Sequence, residues 1–235
     1  MKRALVTGGS RGIGLALVER LLALGYSVNS VSRDGHVPPA LLREYGSRVV
    51  GVAADLGDVA ARANVVAELL GKTLDVLVLS AGIAEYADAV ATSDALLEKH
   101  LAVNFESGFA LVRDLSPQLA KDGAVVVVSS TLAETTAPRT AAYAASKAAL
   151  LSAMRSFALE LGPRGIRVNA ISPGIVETDM LSARSLEDQK ALLALHPLGH
   201  FVSVLDVADA MQYLLESPFV TATNLTLDAG LTLRS

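Results

Sequence analysis

The chain has 235 residues, of which 51% are apolar, and it carries a formal net charge of −4 with no cysteine. The lack of cysteine excludes disulfides, thiolate nucleophiles and sulfur-ligated zinc, and the slight negative charge offers no basic surface to nucleic acid. No apolar run is long enough for a signal-peptide core or a membrane helix, so we expect a cytoplasmic protein that does not bind membranes.

Short β-branched runs alternate with longer helical stretches along the chain. The predicted strands are Ala4–Thr7, Ser27–Val31, Val49–Ala53, Leu74–Leu79, Ala124–Ser129, Arg167–Ile171 and Leu225–Leu227. The predicted helices are Gly12–Leu24, Pro39–Tyr45, Val59–Leu70, Ser93–Leu119 and Ala141–Leu161. This alternation predicts one α/β domain over residues 1–235, a doubly wound parallel sheet of about seven strands with helices on both faces.

A glycine-rich turn follows the first predicted strand and opens the first predicted helix. A helix N-terminus offers unpaired N–H groups and a positive dipole end, both of which attract a pyrophosphate. Gly8 allows the tight turn, Gly12 the close approach of phosphate and Gly14 close helix–strand packing. Glycine turns also simply end strands, but the strand before and the helix after favour a dinucleotide site. The expected cofactor contacts are Gly8, Gly9, Ser10, Arg11, Gly12, Ile13 and Gly14.

The residues after the second predicted strand favour NADP(H) over NAD(H). An NAD site usually carries an acidic residue there for the ribose hydroxyls, whereas this chain has Ser32 and Arg33, and Asp34 comes one or two places too late. Arg33 and Arg11 can converge on a 2′-phosphate, which planar guanidinium groups bind well. Two solvated surface arginines are the alternative.

Tyr143 and Lys147 lie four residues apart in the predicted helix Ala141–Leu161, so their side chains share one face. The pKa of a free tyrosine is ~10, and a neighbouring ammonium is expected to lower it towards the range of acid–base catalysis. Ser130 follows the fifth predicted strand, at the edge where open α/β sheets bind ligands. Its hydroxyl either stabilises a substrate oxygen or simply caps a turn.

In this order and spacing the motifs resemble those of the short-chain dehydrogenase/reductase family over nearly the whole chain. The matching stretches are Thr7–Gly14, Asp55-Leu56, Ser80-Ala81-Gly82, Asn104, Ser129-Ser130, Tyr143–Lys147, Asn169 and Pro173–Thr178. Within the family the pattern is most similar to bacterial 3-oxoacyl-carrier-protein reductases. The resemblance implies a single-domain Rossmann fold and hydride transfer between NADP(H) and a carbonyl or secondary alcohol. It also implies a homotetramer, while the apolar helix Ala141–Leu161 by itself indicates only self-association, as a dimer or tetramer.

The resemblance also assigns roles to residues. It implies that Tyr143 is the general acid/base, that Ser130 steadies the substrate oxygen, that Lys147 holds the nicotinamide ribose and that Asn104 positions a water in a proton relay. The further cofactor contacts implied are Asp55, Leu56, Ser80, Ala81, Gly82, Pro173, Gly174, Val176 and Thr178. One departure stands out, because Leu79-Ser80 replaces the two asparagines usual in the family, and the hydrogen bonds of those asparagines must be replaced or lost.

The substrate pocket is expected between Ile83–Tyr86, Thr131–Thr135 and a lid at about 179–201, which the sequence also allows to be an amphipathic helix on the core. His196 and His200 have metal-pair spacing, but Pro197 and Gly199 disfavour a helix there, so no metal site is expected. A 3-oxoacyl thioester or polyketide-like ketone is the favoured substrate. A non-catalytic dinucleotide-binding sensor or partner protein, and a methyltransferase, are the alternative functions.

Overall fold

The structure is a computed structural model that describes residues 1–177, 181 and 185–234. Its seven strands form one sheet in the order β3-β2-β1-β4-β5-β6-β7, and every neighbouring pair is parallel. The strands are β1 (Arg3–Thr7), β2 (Ser27–Ser32), β3 (Val49–Ala53), β4 (Leu74–Leu79), β5 (Leu119–Val128), β6 (Arg167–Pro173) and β7 (Asn224–Leu227). The order reverses between β1 and β4, which is where such sheets open a ligand crevice.

Helices cover both faces of the sheet. They are α1 (Gly12–Ala23), α2 (Pro39–Tyr45), α3 (Val59–Leu69), α4 (Asp94–His100), α5 (Ser107–Leu115), α6 (Ala141–Leu161), α7 (Leu186–Leu193) and α8 (Val204–Glu216). Within the described ranges, no helix has the length and the apolar character needed to span a membrane.

Two apolar clusters hold the layers together, one on each face. Leu5 and Leu77 of the sheet pack with Leu111 of α5 and Met154 of α6 on one side. The residues on either side of Leu5 and Leu77 along the strands have side chains on the opposite face, where they pack with Leu17 of α1 and Met211 of α8. The strands are therefore buried on both faces, as the predicted doubly wound arrangement requires.

The predicted helix Ser93–Leu119 was too long. Ser93 caps α4, and its hydroxyl accepts a hydrogen bond of 3.2 Å from the Leu96 amide. A π-helical turn over Leu101–Glu106 then links α4 to α5. Helix α5 ends at Leu115, just before the short turn that contains Pro117. Because proline lacks the N–H that a continuing helix needs, Leu119 begins β5 instead.

Helix α8 was not predicted from the sequence, and that omission was an error. The signal was present, since Ser203 and Asp206 form a capping box: the Ser203 amide donates to Asp206 Oδ2 at 2.8 Å, and the Asp206 amide donates to Ser203 Oγ at 3.1 Å. Val207, Met211 and Leu214 then bury one face of the helix.

The predicted lid is described only in part, because residues 178–180 and 182–184 lie outside the described ranges. The described part holds α7, none of whose eight residues is buried. Leu186 at its start is 75% exposed. Leu192 and Leu193 at its end are partly buried, so the lid and the amphipathic helix on the core both stay predictions.

Candidate active site

The candidate site lies at the carboxyl edge of the sheet. Parallel pairing aligns Thr7 at the end of β1 with Leu79 at the end of β4, and Leu79 with Val127 of β5. The loops that follow these strands carry the glycine turn, Ser80–Gly82 and Ser130. The topology therefore brings together three motifs that are far apart in the sequence.

The glycine turn is a backbone cradle that side chains would fill. Gly8 has φ +71°, and a Cβ there would lie 2.9 Å from Cα of Ala81. A Cβ on Gly14 would lie 2.1 Å from the Gly8 carbonyl oxygen, so α1 can approach the turn only with glycine here. The side chain of Arg11, the N-cap residue, makes no hydrogen bond to the first turn of α1. The turn thus fits a phosphate-bearing ligand at a helix N-terminus.

The segment Ser80–Gly82 is anchored although the family's asparagines are absent. The Ser80 and Ala81 amides donate to Thr7 Oγ1 at 3.1 and 3.0 Å. A Cβ on Gly82 would lie 3.2 Å from Asn104 Oδ1 and 3.3 Å from Lys147 Nζ. The Thr7 hydroxyl therefore ties this segment to β1, and a Cβ at position 82 would be in tight contact with the side chains of Asn104 and Lys147.

Arg11 and Arg33 are both exposed, beside the glycine turn and directly after β2. Among the described residues, neither guanidinium has a hydrogen-bond or ion-pair partner, so both are available to a ligand. Asp34 is engaged in its own turn, because its Oδ1 accepts hydrogen bonds from the Ser32 hydroxyl at 2.9 Å and the His36 amide at 3.1 Å. The His36 amide and the Ser32 hydroxyl lower the pKa of Asp34.

Ser130 combines the two interpretations that the sequence left open. It is the N-cap of the short turn Thr131–Ala133, and its hydroxyl accepts a hydrogen bond of 3.2 Å from the Leu132 amide. The same side chain hydrogen-bonds to Tyr143. The cap therefore holds the hydroxyl at the phenol instead of competing with that contact.

The pKa of Tyr143 corrects an expectation. Burial raises this pKa to about 12, while the hydrogen bond from Ser130 opposes the rise and the nearby Tyr86 adds to it. Lys147 does not contribute to this shift in pKa, and its Nζ donates to the Val128 carbonyl at 2.8 Å. Burial lowers the pKa of Lys147 to about 8. The prediction that the Lys147 ammonium makes the phenol acidic is wrong for this arrangement of side chains.

Asn104 lies in the π-helical turn and is 1% exposed. Its Oδ1 accepts from the Ile83 amide at 2.8 Å, and its Nδ2 donates to the Ile83 carbonyl at 3.0 Å and to Ser146 Oγ at 3.0 Å. Turns of this kind occur often at functional sites. The Asn104 side chain thus holds the backbone of Ile83 against the π-helical turn.

The remaining predicted cofactor residues lie on two loops of the same edge. Asp55 is exposed after β3, and its Oδ1 accepts from the Gly57 amide at 2.9 Å, while Leu56 beside it is buried. Pro173 ends β6, and the Gly174 amide donates to the Leu227 carbonyl at 2.7 Å. Val176 pairs with Val202 in a parallel bridge, and Thr178 lies outside the described residues.

Comparisons with known proteins decide the family. The family described as enoyl-(acyl carrier protein) reductase matches residues 8–232. The uncharacterized oxidoreductase YmfI of Bacillus subtilis (strain 168) is 31% identical over 97% of this chain and 98% of its own. The 3-oxoacyl-[acyl-carrier-protein] reductase FabG of Escherichia coli (strain K12) is 30% identical over 98% and 97%. A short chain dehydrogenase from Burkholderia cenocepacia J2315, solved in complex with NADP, superposes with TM-score 0.91 at 33% identity over 98% of both chains.

The chain belongs to the short-chain dehydrogenase/reductase family. The predicted Rossmann fold and the oxidoreductase class are thereby confirmed. The family description names an enoyl reductase and the Escherichia coli relative is a 3-oxoacyl reductase. These names differ in the bond that is reduced, so they do not identify the substrate of this short-chain dehydrogenase/reductase.

Two aromatic residues contact the ring of Tyr143, and one of them, His100, was not predicted from the sequence. The Tyr86 ring, within the predicted pocket segment, meets the Tyr143 ring edge to face at 6.2 Å between centroids. The His100 ring does the same at 6.3 Å and is fully buried. His100 precedes Asn104 by four residues, and this helical spacing was the one signal that could have pointed to it.

Proposed function

We propose that the protein is an NADP(H)-dependent carbonyl reductase or secondary alcohol dehydrogenase with Tyr143 as its general acid/base. The observation that carries the proposal is the pairing of the Ser130 hydroxyl with the Tyr143 phenol, beside Lys147 and at the edge of the sheet that holds the glycine cradle. A pure dinucleotide sensor has no use for a positioned proton donor, and a methyltransferase gives no role to this group.

The cofactor would be held by the glycine turn at its pyrophosphate and by Asp55 and Ser80–Gly82 on the adenine side. The Pro173–Val176 loop, with Thr178, would hold the nicotinamide end. The free guanidinium groups of Arg11 and Arg33 support NADP(H), as does the NADP complex of the Burkholderia cenocepacia relative. When bound, the nicotinamide supplies the hydride in carbonyl reduction and accepts it in alcohol oxidation.

Proton transfer falls to this chain's own residues. With a pKa of about 12, Tyr143 keeps its proton at neutral pH and can donate it from Oη to a carbonyl oxygen. The Ser130 hydroxyl beside it can hydrogen-bond the same oxygen as negative charge builds there. Lys147, with a pKa of about 8, is mainly an ammonium at pH 7 and keeps positive charge near the site.

We propose a 3-oxoacyl thioester or polyketide-like ketone as the substrate, with the lid at 179–201 covering it. The similarity to FabG of Escherichia coli supports this choice. The wall next to Tyr143 is formed by Tyr86, a residue that is 38% exposed and whose ring can contact an apolar or planar group. A cytoplasmic location stays a prediction.

Self-association is also proposed. The π-helical turn and helices α5 and α6 carry an aromatic patch of Phe105, Phe109 and Phe157, in which the centroid of the Phe109 ring lies 5.8 Å from that of Phe105 and 5.1 Å from that of Phe157, and Phe109 is 37% exposed. Burying such a patch against a second copy would stabilise a dimer or tetramer. Light scattering coupled to gel filtration tests this, and a monomer at micromolar concentration would contradict it.

Turnover assays test the proposed function. Ketones and alcohols, including 3-oxoacyl thioesters, would be assayed by cofactor absorbance with NADPH and with NADH. We expect reduction of at least one ketone, faster with NADPH, and a melting temperature raised by NADPH but not by S-adenosylmethionine. Stabilisation by S-adenosylmethionine alone, or NADPH binding with no turnover across the panel, would contradict the proposal.

A further inference from the structure

His100 is held by both nitrogens of its ring. Nδ1 lies 2.9 Å from the Leu96 carbonyl, which can only accept a hydrogen bond, and Nε2 accepts one of 3.2 Å from the Glu85 amide. The imidazole is therefore neutral and carries its proton on Nδ1. A fully buried ring that is held at both nitrogens has little freedom to move, so it constrains the groups that touch it.

The Glu85 contact belongs to a larger clamp on one segment, Ile83–Tyr86. Asn104, four residues after His100, binds the amide and the carbonyl of Ile83. His100 and Asn104 therefore hold Glu85 and Ile83 from the same stretch of chain, and a 2.5 Å ion pair from Lys99 to the Glu85 carboxylate adds a third contact.

The residues of this clamp contact the ring of Tyr143 from two sides. The His100 ring contacts the Tyr143 ring directly, edge to face. Tyr86, the residue after Glu85, contacts the Tyr143 ring in the same geometry from the clamped segment. Edge-to-face contacts on two sides restrict the position of an aromatic ring, and the position of this ring sets where its hydroxyl lies.

We propose that His100 is a positioning residue of the active site, whose neutral ring orients Tyr143 both directly and through the Glu85–Tyr86 segment. This inference rests on the proposed function of Tyr143 as the proton donor. His100 itself transfers no proton, because both of its nitrogens are occupied by backbone groups. Small displacements of a reacting group cost large factors in rate, which is why a buried ring without substrate contact can matter.

Two variants separate the roles of the ring. His100→Phe keeps an aromatic ring but removes the acceptor for the Glu85 amide, while His100→Gln keeps an acceptor near the position of Nε2. Amide hydrogen exchange, measured on the protein without substrate, reports directly on the hydrogen bond of the Glu85 amide. We expect exchange at Glu85 to be faster by about 10-fold or more in His100→Phe and close to wild type in His100→Gln.

The kcat for the ketone of the panel that is reduced fastest reports on the positioning of Tyr143. We expect kcat to fall about 10-fold in His100→Phe and to recover at least in part in His100→Gln, with the Kd for NADPH unchanged in both. Val207→Ala, a core truncation on the opposite face of the sheet, is the control for loss of stability. It should lower the melting temperature as much or more and leave kcat near wild type.

Three results would overturn the positioning role: unchanged Glu85 exchange in His100→Phe, wild-type kcat despite faster exchange, or equal losses of kcat in His100→Phe and Val207→Ala. Failure of the proposed function is a different result, since it would appear as absent turnover in the wild-type protein. The exchange measurement would still report on the clamp in that case.

Discussion

Among the residues of the site, Lys147 is buried at a cost to the stability of the fold. Its Nζ is buried with the Val128 carbonyl as its hydrogen-bond partner, and burial lowers its pKa from 10.5 to about 8. Because the folded-state pKa lies below the unfolded one, the buried ammonium destabilises the fold in full below about pH 8, and this cost disappears as pH rises towards 10.5. A residue kept at such a cost is a candidate for function.

Lys147→Met should therefore abolish turnover and yet stabilise the fold at pH 7. The pKa shift corresponds to about 3 kcal/mol, and losing the hydrogen bond to Val128 returns about 1 kcal/mol or somewhat more. We expect a gain of about 1–2 kcal/mol in the free energy of unfolding by urea at pH 7, shrinking by pH 10. Lys72→Met, at an exposed position, is the control and should change nothing. A clear loss of stability at pH 7 would contradict this account.

The pKa values of the site also predict how rate depends on pH. Tyr143, with a pKa of about 12, holds its proton across the working range, so reduction should stay flat and then fall above about pH 8 as Lys147 loses its charge. Alcohol oxidation needs the phenol to give up its proton, so its rate should rise with pH. Initial rates in both directions from pH 6 to 10 test this, and oxidation that slows with rising pH would count against it.

Arg33 should decide between the two nicotinamide cofactors. A charge-assisted hydrogen bond to a 2′-phosphate contributes about 1.5–3 kcal/mol, so Arg33→Ala should raise the KM for NADPH by about 10-fold or more. The KM for NADH and kcat should hardly change. Arg43→Ala, exposed on α2, is the matched control. Equal effects on both cofactors would show that Arg33 does not read the phosphate.

At the scale of elements, backbone conformation explains what propensity alone does not. The exposed Ala222, just before β7, has φ +59°, a left-handed conformation that costs a non-glycine residue ~1–2 kcal/mol. Its amide donates to the Val168 carbonyl of β6 at 2.8 Å, which is why the turn keeps this shape. The strain is the local cost of starting β7 beside β6.

Ala222→Gly should accordingly stabilise the protein. Relief of the strain outweighs the extra freedom that glycine gives the unfolded chain, ~0.4–1 kcal/mol, so we expect a net gain of about 0.5–1 kcal/mol. The control is Ala67→Gly on the exposed face of α3, which should cost about 1 kcal/mol. Urea denaturation measures both, and equal losses in the two variants would refute the argument.

The elements that the sequence predicted best are those with strong local signals. Helix α6 and strands β3 and β4 match their predicted bounds, because apolar periodicity and β-branched runs are local properties. The π-helical turn around Asn104 and the burial of His100 could not be read in this way. Both depend on the segment Ile83–Tyr86, which folds back onto the helix only in the complete structure.

At the scale of the whole molecule, the topology of the sheet brings together residues whose relative positions single motifs could not predict. Family-like spacing pointed to Ser130, Tyr143 and Lys147, and the fold brings the hydroxyls of the first two together. The electrostatics went the other way from the expectation, because burial of Tyr143 outweighs any charge near it. Burial is a property of the assembled fold, so a sequence that gives the right residues can still give the wrong sign for a pKa.

The most direct test of the whole account is the turnover of Tyr143→Phe, which removes only the hydroxyl. We expect kcat for ketone reduction to fall by about 10²–10⁴-fold, with the Kd for NADPH within about threefold of wild type and an unchanged melting temperature. A variant that keeps a tenth or more of wild-type kcat would show that Tyr143 is not the proton donor.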